Sequence, residues 1–487
     1  MKKICLYLEI HQIVHLKRYR FFDIGRDHYY YDDYENERAI NDIAERSYIP
    51  TLQTLIQMCR EHENFKLALS LSGVGLEQLE LHAPQVIDLL QELNSTGKVE
   101  FLCEPYSHGL ASLVNEESFA TECKKMSKKI KELFGKTPKV FRNSSLIYND
   151  DIGAQVAAMG FKGMLTEGAK QVLGWKSPHY VYTNAIDPRL KLLMRDINLS
   201  EDITVRFQSN HLMADQWLDW IAQTPEGEDV INIFGELVTF GIFHPLSSGI
   251  LEFLKALPKL AADRGIGFAT PSEICDEFPA VGPVDVPYNI SWVDEERDTS
   301  CWLGNVMQRE AFNKLYSIAD RVRICNDRRI QQDWDCLQAS NNFRFMTTKP
   351  GSQYRAIYDS PYDAFTNYMN ILGDFINRVN NLYGGADNDE IEPLIATIKN
   401  QDDEISAKDK EIAKLREQLE KYNPTVAVEK APAKAKKAPA KVTVKKVAKA
   451  PEKVEVEAPA KKVEAPKAEK APAKKAAKPA TKKATKK

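Results

Sequence analysis

The chain has 487 residues, 43% of them hydrophobic, and a formal net charge of −3 at pH 7. That charge is unevenly spread: residues 424–487 contain 20 lysines and 6 glutamates, a balance of +14, so the other residues carry −17. The length allows one large domain with extensions, and an acidic body with a basic end excludes a globular nucleic-acid-binding domain.

Three features of the sequence predict a cytoplasmic protein without a membrane span. The first residues carry two lysines and a short apolar run, but Glu9, His11 and Gln12 interrupt that run. No small-residue cleavage site follows, which favours a first strand over a signal peptide. No stretch approaches the 18 or more uncharged apolar residues that a transmembrane helix needs. The 8 cysteines form no CxxC pair, a pattern typical of reduced thiols in the cytosol.

Residues 1 to about 275 alternate short apolar segments with amphipathic ones, as strands followed by helices do. Such alternation implies parallel pairing, and seven or eight units predict a barrel or broken barrel with its chemistry at the carboxyl ends of the strands. The predicted strands are Ile4–Ile10, Phe65–Leu71, Val99–Cys103, Lys139–Phe141, Gly163–Leu165, Leu190–Leu193, Val230–Phe234 and Gly267–Ala269. The predicted helices include Leu76–Leu93, Glu116–Leu133, Ile152–Met159, Leu212–Ile221 and Ile250–Asp263.

After about residue 300 the strand pattern stops, and helical periodicity predicts a helical subdomain over residues 301–385. Its predicted helices are Leu303–Ile330, Gln332–Asn341 and Pro361–Tyr383. Residues 390–422 then show apolar side chains at every seventh position, surrounded by charged residues. This heptad favours a coiled coil that assembles the chain into a homo-oligomer, with a single surface helix as the alternative. The heptad positions are Ile391, Ile398, Ile405, Ile412 and Leu419.

Residues 424–487 consist mainly of alanine, lysine and proline, with eight prolines and no aromatic residue. Such a segment cannot bury enough apolar surface to offset its chain entropy, so we expect a disordered cationic tail. The tail is predicted to bind polyanions with an affinity that falls as salt rises. A solvated tether without a partner is the alternative.

Polar and aromatic side chains follow the predicted strands, where a parallel barrel places its site. Aromatic rings stack on sugar faces and polar groups bind hydroxyls, so this mixture is typical of a sugar site. Two carboxyl groups flanking the scissile bond would complete a glycosidase. The candidate residues are His11, Glu104, His108, Arg142, Glu236, Trp292, Asp294 and Trp302.

Other chemistries find less support in the sequence. The chain has no GxGxxG, P-loop or GxSxG motif, so nucleotide-binding and α/β-hydrolase interpretations lose their main basis. His11 and His15 have zinc-like spacing, but Gln12 stands where a metalloprotease has its glutamate, and the segment leaves a strand. We therefore expect a structural or substrate-facing role for these histidines, and neither a metal nor a cofactor.

Several segments, in order, resemble the motifs of glycoside hydrolase family 57, specifically its α-amylase-type branch. YLEIHQ is similar to the first motif, GKVEFLCEPYSHGLASL to the second and VFRNSSLIYNDDIG to the third. NIFGELVTFG lies at the fourth motif and ISWVDEERDTSCWLGN at the last, so the resemblance spans about residues 1–320. It implies an incomplete (β/α)7 barrel over residues 1–300 with a helical subdomain. It also implies metal-free action on α-glucans through a glutamate nucleophile and an aspartate acid/base.

The departures from the family pattern fall at the reacting positions. Ser145 stands at the nucleophile position of a motif that usually reads Arg-Asn-Thr-Glu-Leu. Glu236 stands at the acid/base aspartate of Asp-Tyr-Glu-Thr-Phe-Gly-Glu-His, and three apolar residues replace its two glutamates and its histidine. Ile13 replaces the proline of His-Gln-Pro. The three apolar replacements in the fourth motif are Val238, Ile242 and Phe243.

These substitutions leave three hypotheses open. The first is an α-glucan-binding or scaffold protein with a degenerate glycosidase site. The second is an active α-glucan hydrolase or transferase with Glu236 as acid and another carboxylate, such as Glu104 or Glu167, activating water. The third is an assembly protein that oligomerises through its coiled coil. A serine hydroxyl is not ionised at pH 7, so Ser145 cannot simply replace a carboxylate nucleophile.

Overall fold

A computed structural model describes residues 1–114, 116–349 and 357–382, together with isolated positions between 397 and 415. Met1–Lys410 form one compact unit and Glu411–Lys487 a second. The first unit contains these strands: β1 (Lys3–Ile10), β2 (Leu67–Leu71), β3 (Val99–Leu102), β4 (Val140–Arg142), β5 (Gly163–Glu167), β6 (Val181–Asn184), β7 (Lys191–Arg195), β8 (Val230–Glu236), β9 (Gly267–Phe268) and β10 (Pro283–Val284).

Seven of the described strands close a parallel ring in the order β1, β2, β3, β4, β5, β7, β8 and back to β1. The junction of β7 with β8 registers one residue pair, Arg195 with Asn232, and that of β3 with β4 is a single parallel bridge between Cys103 and Phe141. Two hydrogen bonds hold it, Cys103 N to Val140 O at 3.1 Å and Arg142 N to Cys103 O at 2.9 Å. The predicted α/β barrel with a mostly parallel sheet is therefore confirmed.

Three short strands stand outside the ring. β6 pairs antiparallel with β7, β10 pairs with β6, and β9 pairs with the first two residues of β1. The sequence pattern did not predict β6 or β10. Both are short, and a single antiparallel edge strand breaks the strand–helix alternation on which the prediction depended.

The helices of the barrel and of the region that follows it are mostly amphipathic. They are α1 (Asp33–Ile43), α2 (Ile49–Glu61), α3 (Gly73–His82), α4 (Pro84–Ser95), α5 (Glu116–Phe134), α6 (Asp150–Ala158), α7 (Lys170–Leu173), α8 (Ile197–Thr204), α9 (Ala214–Ala222), α10 (Ile250–Asp263), α11 (Pro271–Glu277), α12 (Ser300–Leu303), α13 (Val306–Tyr316), α14 (Ala319–Arg323), α15 (Arg328–Leu337), α16 (Ser340–Arg344) and α17 (Pro361–Leu382).

Two of the predicted long helices are broken. The predicted helix Leu76–Leu93 is two helices, α3 and α4, because Pro84 begins the second and the residue before a proline is forced out of helical geometry. The region 303–330 likewise divides, and α13 begins at a capping box in which Asn305 and Gln308 exchange hydrogen bonds. Local capping thus set boundaries that periodicity alone did not reveal.

Side chains inside the barrel and outside it belong to separate apolar clusters. Successive residues of a strand point to opposite faces. In β1, Cys5 and Tyr7 join the interior cluster, whereas Ile4, Leu6 and Leu8 join the core beneath the helices. The barrel interior is therefore a packed core, and only its carboxyl end, called the mouth below, is free for chemistry.

The remaining regional predictions fall largely on residues that the structure does not describe. Of the heptad positions only Ile412 is described, as a helical residue with 45% of its surface exposed. The coiled coil over 390–422 and the tail over 424–487 otherwise lie outside the described residues, and both stay predictions. Among the helices that are described, none is long and apolar enough to cross a lipid bilayer.

Candidate active site

The interior face of the barrel changes from apolar to charged at the mouth. An apolar interior residue on each ring strand is followed, two positions later, by a polar or charged one on the same face. For example, Tyr7 precedes Glu9, Val140 precedes Arg142, and Leu193 precedes Arg195. We call the second set the charged layer; it comprises Glu9, Ser70, Glu104, Arg142, Glu167, Arg195 and Glu236.

Arg142 holds one side of the charged layer together. Its Nη1 donates to Glu9 Oε1 at 2.6 Å and to Glu104 Oε2 at 2.9 Å, and Ser70 also donates to Glu104. None of the three charged residues is more than 4% exposed. Although burial opposes it, the hydrogen bond from His108 and the charge of Arg142 hold the pKa of Glu104 below its usual range.

Two stacked histidines cover this group. The rings of His11 and His108 lie 4.0 Å apart and nearly parallel. His108 Nδ1 lies 3.1 Å from Glu104 Oε1 and 3.3 Å from Glu9 Oε1. Burial, with the nearby positive charges of His108 and Arg142, lowers the pKa of His11 well below its usual value. His11 is therefore a neutral imidazole at pH 7, hydrogen-bonded through Nδ1 to Ser72 Oγ at 2.8 Å.

The opposite side of the mouth has a simpler pair. Arg195 Nη1 donates to both carboxylate oxygens of Glu167, at 3.3 and 3.1 Å, and both residues are almost fully buried. Burial outweighs the charge of Arg195 and raises the pKa of Glu167. The Arg195 guanidinium lies 5.7 Å from the ring centre of Trp292, whose loop thereby closes over this side.

An aromatic ring at the centre connects the two sides. Phe234 contacts Tyr7 and Trp292 with ring centres 5.2 and 5.3 Å apart, and the Arg142 guanidinium lies 4.9 Å above it. Buried donors without a hydrogen-bond partner among the described residues lie at this ring and at the neighbouring contact of Arg195 with Trp292. They are Tyr7 OH, Arg142 Nε and Nη2, Arg195 Nε and Trp292 Nε1. An unpaired buried donor costs roughly 1–3 kcal/mol, so this group is suited to a ligand rich in oxygen acceptors.

Glu236 ends β8 beside Glu9, its partner in the strand register. It is the only charged member of the layer that is partly buried, whereas the others are buried. Burial and the negative charge of Glu9 raise the pKa of Glu236 to about 7, against the opposing charges of Arg344, Arg142 and His108. A carboxyl group with that pKa can hold a proton near neutral pH and release it to a substrate.

Ser145 lies in a tight turn after β4. It has a φ of 51°, in the left-handed region, and its carbonyl accepts a hydrogen bond from Trp292 N at 3.2 Å. Asn143 fixes the turn through Nδ2, which donates to Ser112 Oγ and to Ile147 O, both at 2.9 Å. Among the described residues, no imidazole or carboxylate is hydrogen-bonded to the Ser145 hydroxyl, so the turn supplies no base to activate it.

The helical region covers the mouth through α16. Ser340 N donates to the carbonyl of His108 at 3.1 Å, and Ala339 bridges to Gly109. Asn341 lies beside His11, and the charge of Arg344 acts on Glu236. Residues 108 to 330 positions distant in sequence thus complete the site, and nothing in the local sequence pattern identified them.

The last two predicted site residues have different surroundings. Asp294 has a φ of 58° and lies 3.7 Å from Lys349 Nζ, in the loop that carries Trp292. Trp302 is 1% exposed and sits in α12, which packs against α13 and α16. Its indole is thus a core side chain of the helical region. The structure brings His11, Glu104, His108, Arg142, Trp292 and Glu236 to the mouth.

Sequence reasoning missed Glu9, Ser70 and Arg195 as site residues. Glu9 was interpreted only as an interruption of an apolar run, although it follows Tyr7 by two positions. The same spacing separates Leu193 from Arg195 and Ala68 from Ser70. One signal could have found all three residues. Each is a charged or hydroxyl side chain that lies on the interior face of a strand, two positions after the last apolar residue of that face.

Glu9, Glu104 and His108 also place three potential metal ligands within 4.8 Å of one another. The fit is poor, because Arg142 already donates to both carboxylates and supplies the positive charge that a metal ion would bring.

Comparison with known proteins agrees with this geometry. The model of glycosyl hydrolase family 57 matches residues 5–287. A Methanocaldococcus jannaschii protein with the provisional name alpha-amylase is 36% identical over 383 residues, which are 74% of this chain and 81% of the relative.

Solved structures share the fold. A family 57-type branching enzyme from Pyrococcus horikoshii is 14% identical with a TM-score of 0.59, over 82% of this chain and 95% of its own. A 4-alpha-glucanotransferase from Thermococcus litoralis is 14% identical with a TM-score of 0.57, over 77% of this chain and 60% of its own. The architecture, the residues at the mouth and a sequence match over most of the barrel agree, and the chain belongs to glycosyl hydrolase family 57.

Proposed function

We propose that this chain binds α-glucan at the mouth of its barrel and that Ser145 leaves the site without a covalent nucleophile. The observation that carries the proposal is the group of unpartnered buried donors around Phe234. A polyhydroxyl ligand has acceptors for all of them, and the Phe234 and Trp292 rings supply faces for stacking. The printed names of the relatives, an alpha-amylase, a glucanotransferase and a branching enzyme, indicate α-glucan as that ligand.

A retaining glycosidase needs an anionic nucleophile at the anomeric carbon. The Ser145 hydroxyl is neutral at pH 7 and has no described base beside it, so a glycosyl–enzyme intermediate is not formed there at a useful rate. Binding and orientation by Arg142, His11 and the aromatic rings do not depend on that nucleophile. The site can therefore bind glucan without cleaving it.

A second candidate function follows from Glu236. With its pKa raised to about 7, this residue can protonate a leaving-group oxygen, as the acid of an inverting hydrolase does. Water would then replace the nucleophile, activated by another carboxylate of the mouth. Glu104 is bound by Arg142, His108 and Ser70, whereas Glu167 is held by Arg195. The second candidate thus predicts slow hydrolysis with inversion, dependent on Glu236.

The experiment uses the full chain with maltoheptaose and glycogen. Binding is measured by titration calorimetry, and reducing ends and chain lengths are followed in the same samples. Wild type is compared with Glu236→Gln, and Glu295→Gln in the neighbouring exposed loop serves as the matched control. Binding without turnover supports the first proposal, and turnover abolished only in Glu236→Gln supports the second.

A gain-of-function variant tests the role of position 145. Ser145→Glu combined with Glu236→Asp restores both family residues. Retaining activity that appears in the double variant, starting from an inactive wild type, would show that the substitutions at these two positions together disabled the site. Absence of binding to either glucan in wild type would overturn the α-glucan proposal.

A further inference from the structure

A cavity of about 610 Å³ lies beside the mouth. Its wall includes Gln12 and Ile13, which directly follow His11, and Val238, which is two residues after Glu236. Arg142 and Glu236 themselves do not line it. The cavity therefore adjoins the mouth. Its volume falls within the range of small-molecule pockets, about 300–1,000 Å³.

The wall nearest the site is apolar. Ile13, Val238, Ile242 and Phe243 all line the cavity, together with Leu16 and Tyr358. The first four are the positions where a proline, two glutamates and a histidine stand in the family pattern described above. Substitutions that are separated in the sequence thus converge on one part of the cavity wall, and three of the four replace an ionisable family residue with an apolar one.

The charged residues at the edge of the cavity are already occupied. Arg38 Nη2 donates to Glu35 at 2.6 Å, and Asp42 accepts from Arg46 at 3.0 Å. Arg18 pairs with Asp359 at 2.9 Å. These charges satisfy one another and leave little for a ligand.

Three polar residues remain in the wall, Gln12, His15 and Asp32, and the Asp32 side chain accepts a hydrogen bond from Glu35 N at 3.1 Å. Gln12 donates to the Tyr48 hydroxyl through Nε2 at 2.9 Å, which leaves its carbonyl oxygen for another donor. Burial lowers the pKa of His15, so its imidazole is neutral at pH 7. A sugar unit placed here would press several hydroxyls against aliphatic side chains that offer no hydrogen bond, and each unpaired hydroxyl is costly.

We propose that this cavity takes the apolar aglycone of an α-glucoside whose sugar occupies the mouth. The ligand class is an alkyl or aryl glucoside, with the apolar group against Val238, Ile242 and Phe243 and the sugar near Glu236. This inference rests on the proposed function for the sugar half of the ligand. It adds a substrate class that an unmodified glucan chain does not represent.

The test compares n-octyl α-glucoside with methyl α-glucoside, both below the micellar concentration, by titration calorimetry on the full chain. We expect wild type to bind the octyl compound at least tenfold more tightly, which corresponds to about 1.4 kcal/mol. Phe243→Ser is the main variant, because that side chain is 42% exposed and its replacement leaves the core intact. Ile242→Thr is a second, and Phe21→Ser, 69% exposed and outside the cavity, is the matched control.

The octyl preference should fall at least threefold in both cavity variants and stay unchanged in Phe21→Ser. Equal affinity for the two glucosides, in a protein that binds maltoheptaose, overturns the inference and leaves the proposed function standing. Octyl binding without maltoheptaose binding supports the cavity and overturns the α-glucan proposal. A preference equally strong in the cavity variants shows that the alkyl chain binds elsewhere and overturns the inference, and binding of none of the three ligands overturns both.

Discussion

Arg142 and Arg195 occupy similar places on the two sides of the mouth. Each ends a parallel strand, is at most 1% exposed and lies over an aromatic ring, Phe234 for Arg142 and Trp292 for Arg195. They differ in the acids that they hold. Arg142 contacts the two carboxylates Glu9 and Glu104, whereas Arg195 contacts Glu167 alone.

The difference shows which side of the mouth is built for chemistry. One arginine with one acid is a balanced pair that fixes geometry. The other side has two acids for one arginine, with His108 against both acids, and the negative charge of Glu9 lies next to Glu236, level with it on the adjacent strand. That charge, with burial, raises the pKa of Glu236 to about 7. The side with Arg142 thus keeps Glu236 able to hold a proton near neutral pH. Arg195 and Glu167 on the other side form an ion pair with a structural role.

Replacing each arginine in turn should give the largest difference between the two sides, measured as the free energy of unfolding. We expect Arg142→Met to lower the free energy of unfolding by about 5 kcal/mol, because it leaves two buried carboxylates without their arginine. We expect Arg195→Met to lower it by about 3 kcal/mol, because only one carboxylate loses its arginine. The pKa of Glu167 is already raised, so this acid can take up a proton when Arg195 is lost. Urea unfolding at pH 7 measures both values.

Arg142→Lys is the control for that experiment, since it keeps the charge while losing the forked geometry. It should recover part of the loss and remain foldable if Arg142→Met does not fold. Equal losses for the two methionine variants would contradict the distinction between the two sides.

The second test removes the titration of Glu236. Its folded pKa is raised, so the folded wild type holds a proton that the unfolded chain releases, and the free energy of unfolding falls as pH rises from about 4.5 through about 7. Glu236→Gln lacks that fall. Between pH 5 and pH 8 the variant should gain up to about 3 kcal/mol relative to wild type, at 1.36 kcal/mol per pKa unit. Parallel curves for wild type and variant would contradict the raised pKa.

The third test removes the negative charge that lies next to Glu236. Glu9→Gln removes the neighbouring negative charge but keeps an oxygen for Arg142, so we expect the pKa of Glu236 to fall by about one unit, or 1.4 kcal/mol. Carboxyl carbon NMR of labelled glutamate measures the titration. Glu167→Gln, on the balanced side, is the matched control and should shift the pKa of Glu236 far less. A fall of the same size in both variants would show that the excess charge at Glu9 is not the cause.

Much of the barrel was predictable because parallel strands and their helices leave a strong apolar rhythm. Strand boundaries were harder to predict: β8 continues two residues past Phe234 and ends in Glu236 itself. The short strands β6 and β10 carry no repeated signal, and Pro84 divides a helix that periodicity joined. Single residues such as Pro84 set these boundaries, and a periodic pattern read over many residues does not detect them.

The site was predictable in part for a similar reason. Glu104, Arg142 and Glu236 were identified because they follow strands. Glu9 lies within the predicted first strand and was read as part of it, whereas Arg195, two residues after the predicted strand Leu190–Leu193, was overlooked. The cover supplied by α16 joins residues more than 200 positions apart, and the left-handed turn at Ser145 depends on Asn143 and Trp292. Such placements arise from tertiary packing, which a single sequence does not display.

The smallest expected effect concerns a histidine beside the balanced side. His179 Nε2 lies 2.6 Å from Asp196, the residue after Arg195, and Nδ1 lies 2.8 Å from Glu228. Although burial opposes it, these two carboxylates raise the pKa of His179. The resulting stabilisation is fully present below the unfolded pKa, about 6.5, and is lost as pH rises through the folded value.

We therefore expect His179→Gln to lose about 1 kcal/mol more stability at pH 5.5 than at pH 9, the size of one net hydrogen bond. Thermal or urea unfolding at the two pH values measures the difference, with the exposed His211→Gln as control. A loss independent of pH would mean that His179 is neutral between its two acids, so that this side of the mouth would also carry excess negative charge. The contrast between Arg142 and Arg195 would then have to rest on distance to Glu236 and no longer on charge balance.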